Sequence, residues 1–465
     1  MAALDTLFDP SLSAALQAAL ILCLLIACAF EFVNGFHDTA NAVATVIYTH
    51  SLRPWAAVVW SGIWNFLGVL LGGIAVATAI VNLLPVELLV ASGSNAGMAM
   101  VLALLIAAIA WNAGTWYLGL PASSSHTMIG AILGVGLANS TLPGHAFGSG
   151  VNWAKASEVG LSLLVSPVVG FGLAYLLLRL ARALISDPAL YQAPRGVDTP
   201  PWWIRGILIG TCTGVSFAHG SNDGQKGVGL IMLILIGILP GQFAVNSSAH
   251  RSDFDAARSA IERLEEPASR LGEPERGVVK GELAELKAKL GLAGEARNIP
   301  PADRFHVRKD ILLIESHLRG GAESKADLAA LRKLTDYAPT WVLMMVAVSL
   351  GLGTMIGWER IVKTVGEKIG KDHLSYAQGA SAELVAMSTV GVAALSGLPV
   401  STTHVLSSGI AGAMVAQGSG VRKETVTKIA LAWLLTLPVS MLLSGCLYLL
   451  FRWILGCAGC EMRVG

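Results

Sequence analysis

Two short polar patterns each occur twice in this chain, and every copy interrupts an apolar stretch. The first pair is Gly35-Phe36-His37-Asp38-Thr39-Ala40-Asn41-Ala42 and Gly220-Ser221-Asn222-Asp223-Gly224-Gln225-Lys226-Gly227. The second pair is Gly119-Leu120-Pro121-Ala122-Ser123-Ser124-Ser125-His126 and Gly397-Leu398-Pro399-Val400-Ser401-Thr402-Thr403-His404. In the first pattern a carboxylate sits among amides. Within a membrane, Asp38 and Asp223 would bind a cation, carry a proton or pair with a base. The plainer alternative is a helix–helix hydrogen bond. Asn41, Asn222 and Gln225 donate and accept at once, so they suit either role. His37 and His219 flank the acids, as proton shuttles or as satisfied core imidazoles. Lys226 is placed to pair with Asp38 or Asp223, or to meet an anion.

The second pattern is a run of hydroxyls after a proline. Its members are Ser123, Ser124, Ser125 and Thr127, then Ser401, Thr402 and Thr403. Pro121 and Pro399 are expected at the first helical position, where a missing N–H costs nothing. The N–H groups and hydroxyls that follow then form an oxyanion site at the positive end of a helix. Ser and Thr also serve as small helix-packing residues. Two hydroxyl runs at matched places favour the anion site. His126 and His404 come next, to orient a ligand, accept a proton or bond to the other half.

These residues need a scaffold, and composition indicates its kind. The chain has 465 residues, 54% hydrophobic and 14% charged, with mean hydropathy +0.63. Soluble domains carry about 25% charge. Several apolar runs reach the roughly 20 residues that cross a bilayer as helix. A net charge of +1 gives no signal for nucleic acid. The blocks 14–49 and 205–246 are too long for one simple crossing. Each is expected to break or re-enter near its motif, at Gly35 and Gly220.

Residues 247–336 are different, with 16 basic and 16 acidic side chains at helical spacing. They read as a soluble helical insertion. Asp38 recurs at an offset of 185 and Ser123 at 278. The difference is close to the length of the insertion, so the halves align once it is removed. The expected organisation is a first membrane repeat at 1–204, the start of a second at 205–246, the insertion at 247–336, the remaining repeat at 337–453 and a tail at 454–465. Five crossings per half would invert one repeat against the other. The fold expected is an all-α polytopic membrane protein, an inverted-repeat transporter with broken or re-entrant helices. Cys457 and Cys460 form a C-x-x-C in the tail, a weak metal or redox signal on its own. No G-x-S-x-G elbow, H-E-x-x-H helix or P-loop occurs, so an enzyme is not expected.

With these residues in view, the chain resembles the inorganic phosphate transporter (PiT) family, most closely the bacterial low-affinity phosphate permeases. The matching pieces are Gly35 to Thr45, Gly119 to Gly130, Phe217 to Gly227 and Gly397 to His404, in the family's order. The resemblance spans roughly 14–246 and 337–452. It implies inverted repeats, a phosphate site between them and cation coupling. By the family's pattern Asp38, Asn41, Asn222 and Asp223 serve the cation or proton. Ser123, Ser124, Ser125, Thr127, Ser401, Thr402, Thr403 and Gln225 serve phosphate. His37, His219, Lys226, His126 and His404 are accessory candidates.

His37 and the Gln225-Lys226 ending resemble the proton-coupled permeases rather than the sodium-coupled branch. Those permeases are thought to take phosphate as a neutral complex with a divalent metal such as Mg²⁺. The family's long loop is drawn on the cytoplasmic side, whereas a simple count of ten spans puts the insertion outside. The resemblance implies symport across a bacterial cytoplasmic (inner) membrane, without a resident cofactor or an assigned metal site. Expected partners are phosphate, the bilayer and a second copy of the chain. Sodium coupling, sulfate as cargo and a receptor or sensor without flux are the rival readings.

Overall fold

The computed structural model of the chain describes residues 12–83, 93–194, 199–291, 294–321 and 323–455. Cys457 and Cys460 lie outside the described residues. Among those described, every regular element is helical, and one isolated bridge joins Gly370 to Val421. The first half contributes α1 (Ala14–Asp38), α2 (Ala40–Tyr48), α3 (Pro54–Leu71), α4 (Ala75–Val81), α5 (Gly93–Tyr117), α6 (Ser124–Ser140) and α7 (Trp153–Leu184). The second begins with α8 (Trp202–His219), a π-helical turn at Gly220–Gly224 and α9 (Gln225–Ile238). The charged insertion folds as α10 (Arg251–Ser269), α11 (Glu275–Leu290), α12 (Pro301–Leu318) and α13 (Lys325–Arg332). The second half resumes with α14 (Thr340–Thr354), α15 (Glu359–Lys363), α16 (Tyr376–Leu395), α17 (Thr402–Gln417) and α18 (Lys423–Ile454).

Residues Met232–Pro339 form one compact unit. Its helices are amphipathic and share a core that includes Phe254, Ile261, Leu283, Leu286, Ile311, Ile314 and Leu331. Their charged faces point to water. Lys289 crosses from α11 to meet the buried Asp310 of α12 at 2.8 Å.

The other unit, Ala14–Ile231 with the chain from Thr340 onward, carries all four motifs. Its packing repeats with partners exchanged. Helix α1 packs on α14, and α8 packs on α3. Likewise α6 packs on α18, and α17 packs on α7. Both α7 and α18 have 32 residues and an internal proline, Pro167 and Pro438. Each half thus completes the packing of the other. Leu164, Val168, Leu434 and Leu442 are exposed on α7 and α18. In water such faces would drive association, whereas lipid accommodates them.

Five described helical spans are long and apolar enough to cross a membrane, or six if the pair Thr340–Thr354 and Glu359–Lys368, bent by 55°, counts as one. This is fewer than the ten spans of the simple count. Helices α6 and α17 explain part of the gap. They have 17 and 16 residues, and at about 1.5 Å per residue neither reaches across the roughly 30 Å core. Protein encloses them, so their hydroxyls and imidazoles need not meet lipid.

Both long blocks are interrupted within their motifs, but neither glycine is a free hinge: at Gly220 the chain passes from α-helix into the π-helical turn. Helix α1 runs through Gly35 and ends at Asp38, and Thr39 separates it from α2. A Cβ on Gly35 would lie 2.4 Å from Leu350 O, and one on Gly220 would lie 2.1 Å from Asn65 O. Both positions are bare because another helix backbone passes there. Gly35→Ala is expected to force α1 and α14 apart, at a cost of about 1–3 kcal/mol. The check is thermal unfolding of the purified protein in detergent. An unchanged midpoint would mean the contact is looser than described.

Candidate functional site

The four motifs converge. Asp38 closes α1 and Asp223 sits in the π-helical turn, both buried. Ser123 and Ser401 cap α6 and α17, their Oγ atoms accepting from His126 N at 3.2 Å and His404 N at 3.1 Å. The helices therefore begin at Ser124 and Thr402, and Pro121 and Pro399 are not at N1. Gly119 and Gly397 have φ of +66° and +70°. Both left-handed turns are natural for glycine, and each proline follows within the turn.

The first residues of α6 and α17 aim their hydroxyls at the acids. Ser124 Oγ donates to Asp38 Oδ2 at 2.7 Å, and Thr403 Oγ1 donates to Asp38 Oδ1 at 3.0 Å. Thr402 Oγ1 approaches Asp223 Oδ2 at 3.5 Å. Asn41 Nδ2 donates to Thr403 Oγ1 at 2.9 Å and to Thr402 Oγ1 at 3.3 Å. Asp38 therefore receives hydroxyls from both halves. Hydroxyls at helix N-termini are holding carboxylates, which is oxyanion chemistry with the chain's own acids as the anions.

The basic side chains sit in the same cluster. Lys226 Nζ is paired with Asp223 Oδ1, donates to Ser125 Oγ at 2.5 Å and donates to Val400 O at 3.0 Å. His219 Nε2 lies 3.2 Å from Asp223 Oδ2 and 3.7 Å from Asp38 Oδ2. The first approach is close enough for an ion pair but poorly aligned for a hydrogen bond. His37 Nδ1 meets Asp38 Oδ1 at 3.0 Å. Asp38, His219 and Asp223 offer ligand atoms within 4.8 Å of one another, a set that could hold a cation.

Other motif residues are engaged with the backbone. Asn222 Nδ2 donates to Leu398 O at 3.1 Å, and its Oδ1 accepts from Val400 N at 3.4 Å. These bonds fix the turn before α17. Gln225 Nε2 donates to Gly72 O at 2.8 Å, and its Oε1 accepts from Val76 N at 2.8 Å. Gln225 thus stitches the break between α3 and α4. Thr127 Oγ1 returns to Ser123 O at 2.9 Å. The rings of His126 and His404 lie 4.5 Å apart with their planes tilted by 33°, and His404 lies 4.1 Å from Trp433 with a tilt of 32°.

Two residues outside the motifs support the cluster, and a third buried polar residue lies elsewhere. Asn65 Oδ1 meets His219 Nδ1 at 2.7 Å, which turns Nε2 toward the two acids. Thr115 Oγ1 meets His37 Nε2 at 3.0 Å. Glu383 on α16 is fully buried and accepts from Thr211 Oγ1 at 2.5 Å, away from this cluster. The available signal was a lone polar residue in an apolar run, which is weak without a partner.

A profile of the phosphate transporter family matches residues 34–444. That stretch contains all four motifs. The chain belongs to the phosphate transporter family. Among its relatives, it is 45% identical to the low-affinity inorganic phosphate transporter PitA of Escherichia coli (strain K12), over 92% of this chain and 96% of that one. It is 28% identical to the probable low-affinity inorganic phosphate transporter of Bacillus subtilis (strain 168), over 93% and 97%. A solved structure of a protein described as the sodium-dependent phosphate transporter has the same fold. Its TM-score is 0.56 at 20% identity, covering 94% of this chain and all of that one. As a member of this family, the chain is a multi-pass membrane transporter and not an enzyme.

Proposed function

We infer that this chain carries inorganic phosphate across a bacterial cytoplasmic membrane as a secondary symporter, its two halves being inverted repeats that rock about the motif cluster. One observation carries the reading. The hydroxyl ends of α6 and α17 hold Asp38, and Thr402 reaches toward Asp223. Phosphate would compete with the acids for those donors. Neutralising the acids releases the donors and removes like-charge repulsion, so cation uptake and phosphate binding favour each other.

Protons are the first reading for the coupling ion. His219 faces both acids, and Lys226 is already paired with one of them. Entry of phosphate as a neutral complex with Mg²⁺ would lower the same repulsion. Sodium is the second reading. The similarly folded transporter is described as sodium-dependent, and oxygen atoms of Asp38, Ser124 and Thr403 cluster at the end of α1. The test is uptake of labelled phosphate into proteoliposomes under an imposed pH or sodium gradient, with and without Mg²⁺. A pH gradient alone should drive accumulation. Stimulation by sodium alone would reject protons, and equal competition by sulfate would reject phosphate selectivity. Binding without flux would favour a sensor.

A further inference from the structure

We propose that Glu31 and Asn34 form a second protonation site, one that links proton movement to phosphate movement. The proposal rests on the transport reading above. Glu31 lies on α1, seven residues before Asp38, and is fully buried. Asn34 Nδ2 donates to Glu31 Oε2 at 3.3 Å. The other two oxygens, Glu31 Oε1 and Asn34 Oδ1, are buried and have no donor among the described residues. An unpaired buried acceptor is costly, and an unpaired buried charge more so.

One proton removes both defects. A protonated Oε1 would donate to Oδ1 beside the bond that already exists. An acid and a primary amide make the same two-bond ring. A metal ion would need more oxygens, about six for Mg²⁺. Two bare acceptors are a better match for one proton.

Position makes the site consequential. A Cβ on Gly227 would lie 2.4 Å from Glu31 Oε1. The bare glycine lets the carboxyl rest on the first turn of α9, beside Lys226. The charged and titratable groups that act on Glu31 are Asp223, Lys226 and His219 from the second half and Cys28 on its own helix. Among the helices along α1, α14 has no acid or base, α5 has only the exposed Tyr117, and α6 brings His126. Ionised, Glu31 joins Asp38 and Asp223 as a third negative charge where phosphate must arrive. A proton on Glu31 therefore favours phosphate, and by linkage phosphate favours the proton by the same factor.

Gln at position 31 reproduces the protonated acid, because its amide can donate to Asn34 Oδ1. In proteoliposomes, Glu31→Gln should retain phosphate exchange, which should weaken less than the parent's as pH rises. Its accumulation under an imposed pH gradient should fall below the parent's by the contribution of one coupled proton. One coupled proton is worth about tenfold per pH unit, so the loss is measurable. Glu31→Asp should keep gradient-driven accumulation.

Parent-like accumulation in Glu31→Gln would overturn the proposal. So would loss of exchange in the inserted, folded variant, which would mark a structural role. If Glu31→Gln fails to insert, Glu31→Asp decides, and loss of its gradient response overturns the idea. A parent protein that accumulates on sodium but not on protons overturns this inference alone. A parent that moves no phosphate overturns the transport reading instead.

Discussion

Asp38→Asn is expected to cut the initial rate of phosphate uptake by roughly a hundredfold or more, with the protein still inserted. Asp38 is the acceptor for Ser124 and Thr403 and lies against His37. Its two oxygens therefore join the start of α6 in one half to the start of α17 in the other. An asparagine keeps the shape but turns an NH₂ group toward one of those hydroxyls. Each hydrogen bond to a charged group is worth about 1.5–3 kcal/mol, or roughly tenfold to 150-fold. The variant also removes the charge whose neutralisation is proposed to admit phosphate. The measurement is labelled phosphate uptake per inserted protein in proteoliposomes. Normal uptake would show that Asp38 is only a helix-packing residue.

How much of this site was legible before the structure depends on the kind of contact. Local features read well. The hydroxyl runs marked two helix starts because Ser123 and Ser401 are efficient N-caps. The start lies beyond the prolines because the Gly119 and Gly397 turns absorb them. The long block at 205–246 does depart from α-helix at its motif, but as a π-helical turn rather than a glycine hinge. Contacts between halves were not legible. Asn41 reaches Thr403, and Lys226 reaches Ser125. Nothing local in sequence encodes either pair, which depends on the exchanged packing of α6, α7, α17 and α18. The glycines misled for the same reason. At Gly35 and Gly220 the requirement comes from a neighbouring backbone and not from φ.

Lys226→Met isolates the other acid. In the parent, Asp223 Oδ1 pairs with Lys226, while among the described residues Oδ2 has only Thr402 at 3.5 Å and the poorly aligned His219 at 3.2 Å. Removing the ammonium leaves a fully buried carboxylate without its main partner. Breaking a buried pair from one side costs about 3–5 kcal/mol. It also removes a donor from Ser125 Oγ and from Val400 O, which among the described residues keep only the bond from Ser125 Oγ to Val400 O at 3.0 Å. Thermal unfolding in detergent should therefore show a strongly destabilised single variant. Lys226→Met combined with Asp223→Asn removes both charges, so most of that stability should return. Phosphate uptake should not return, because the double variant lacks one of the two acids proposed to exchange with phosphate at the hydroxyl helix ends. Recovery of stability without recovery of uptake would separate the structural role of the pair from its role in coupling. Recovery of both would mean that Asp223 and Lys226 serve only each other, leaving Asp38 alone to answer to phosphate.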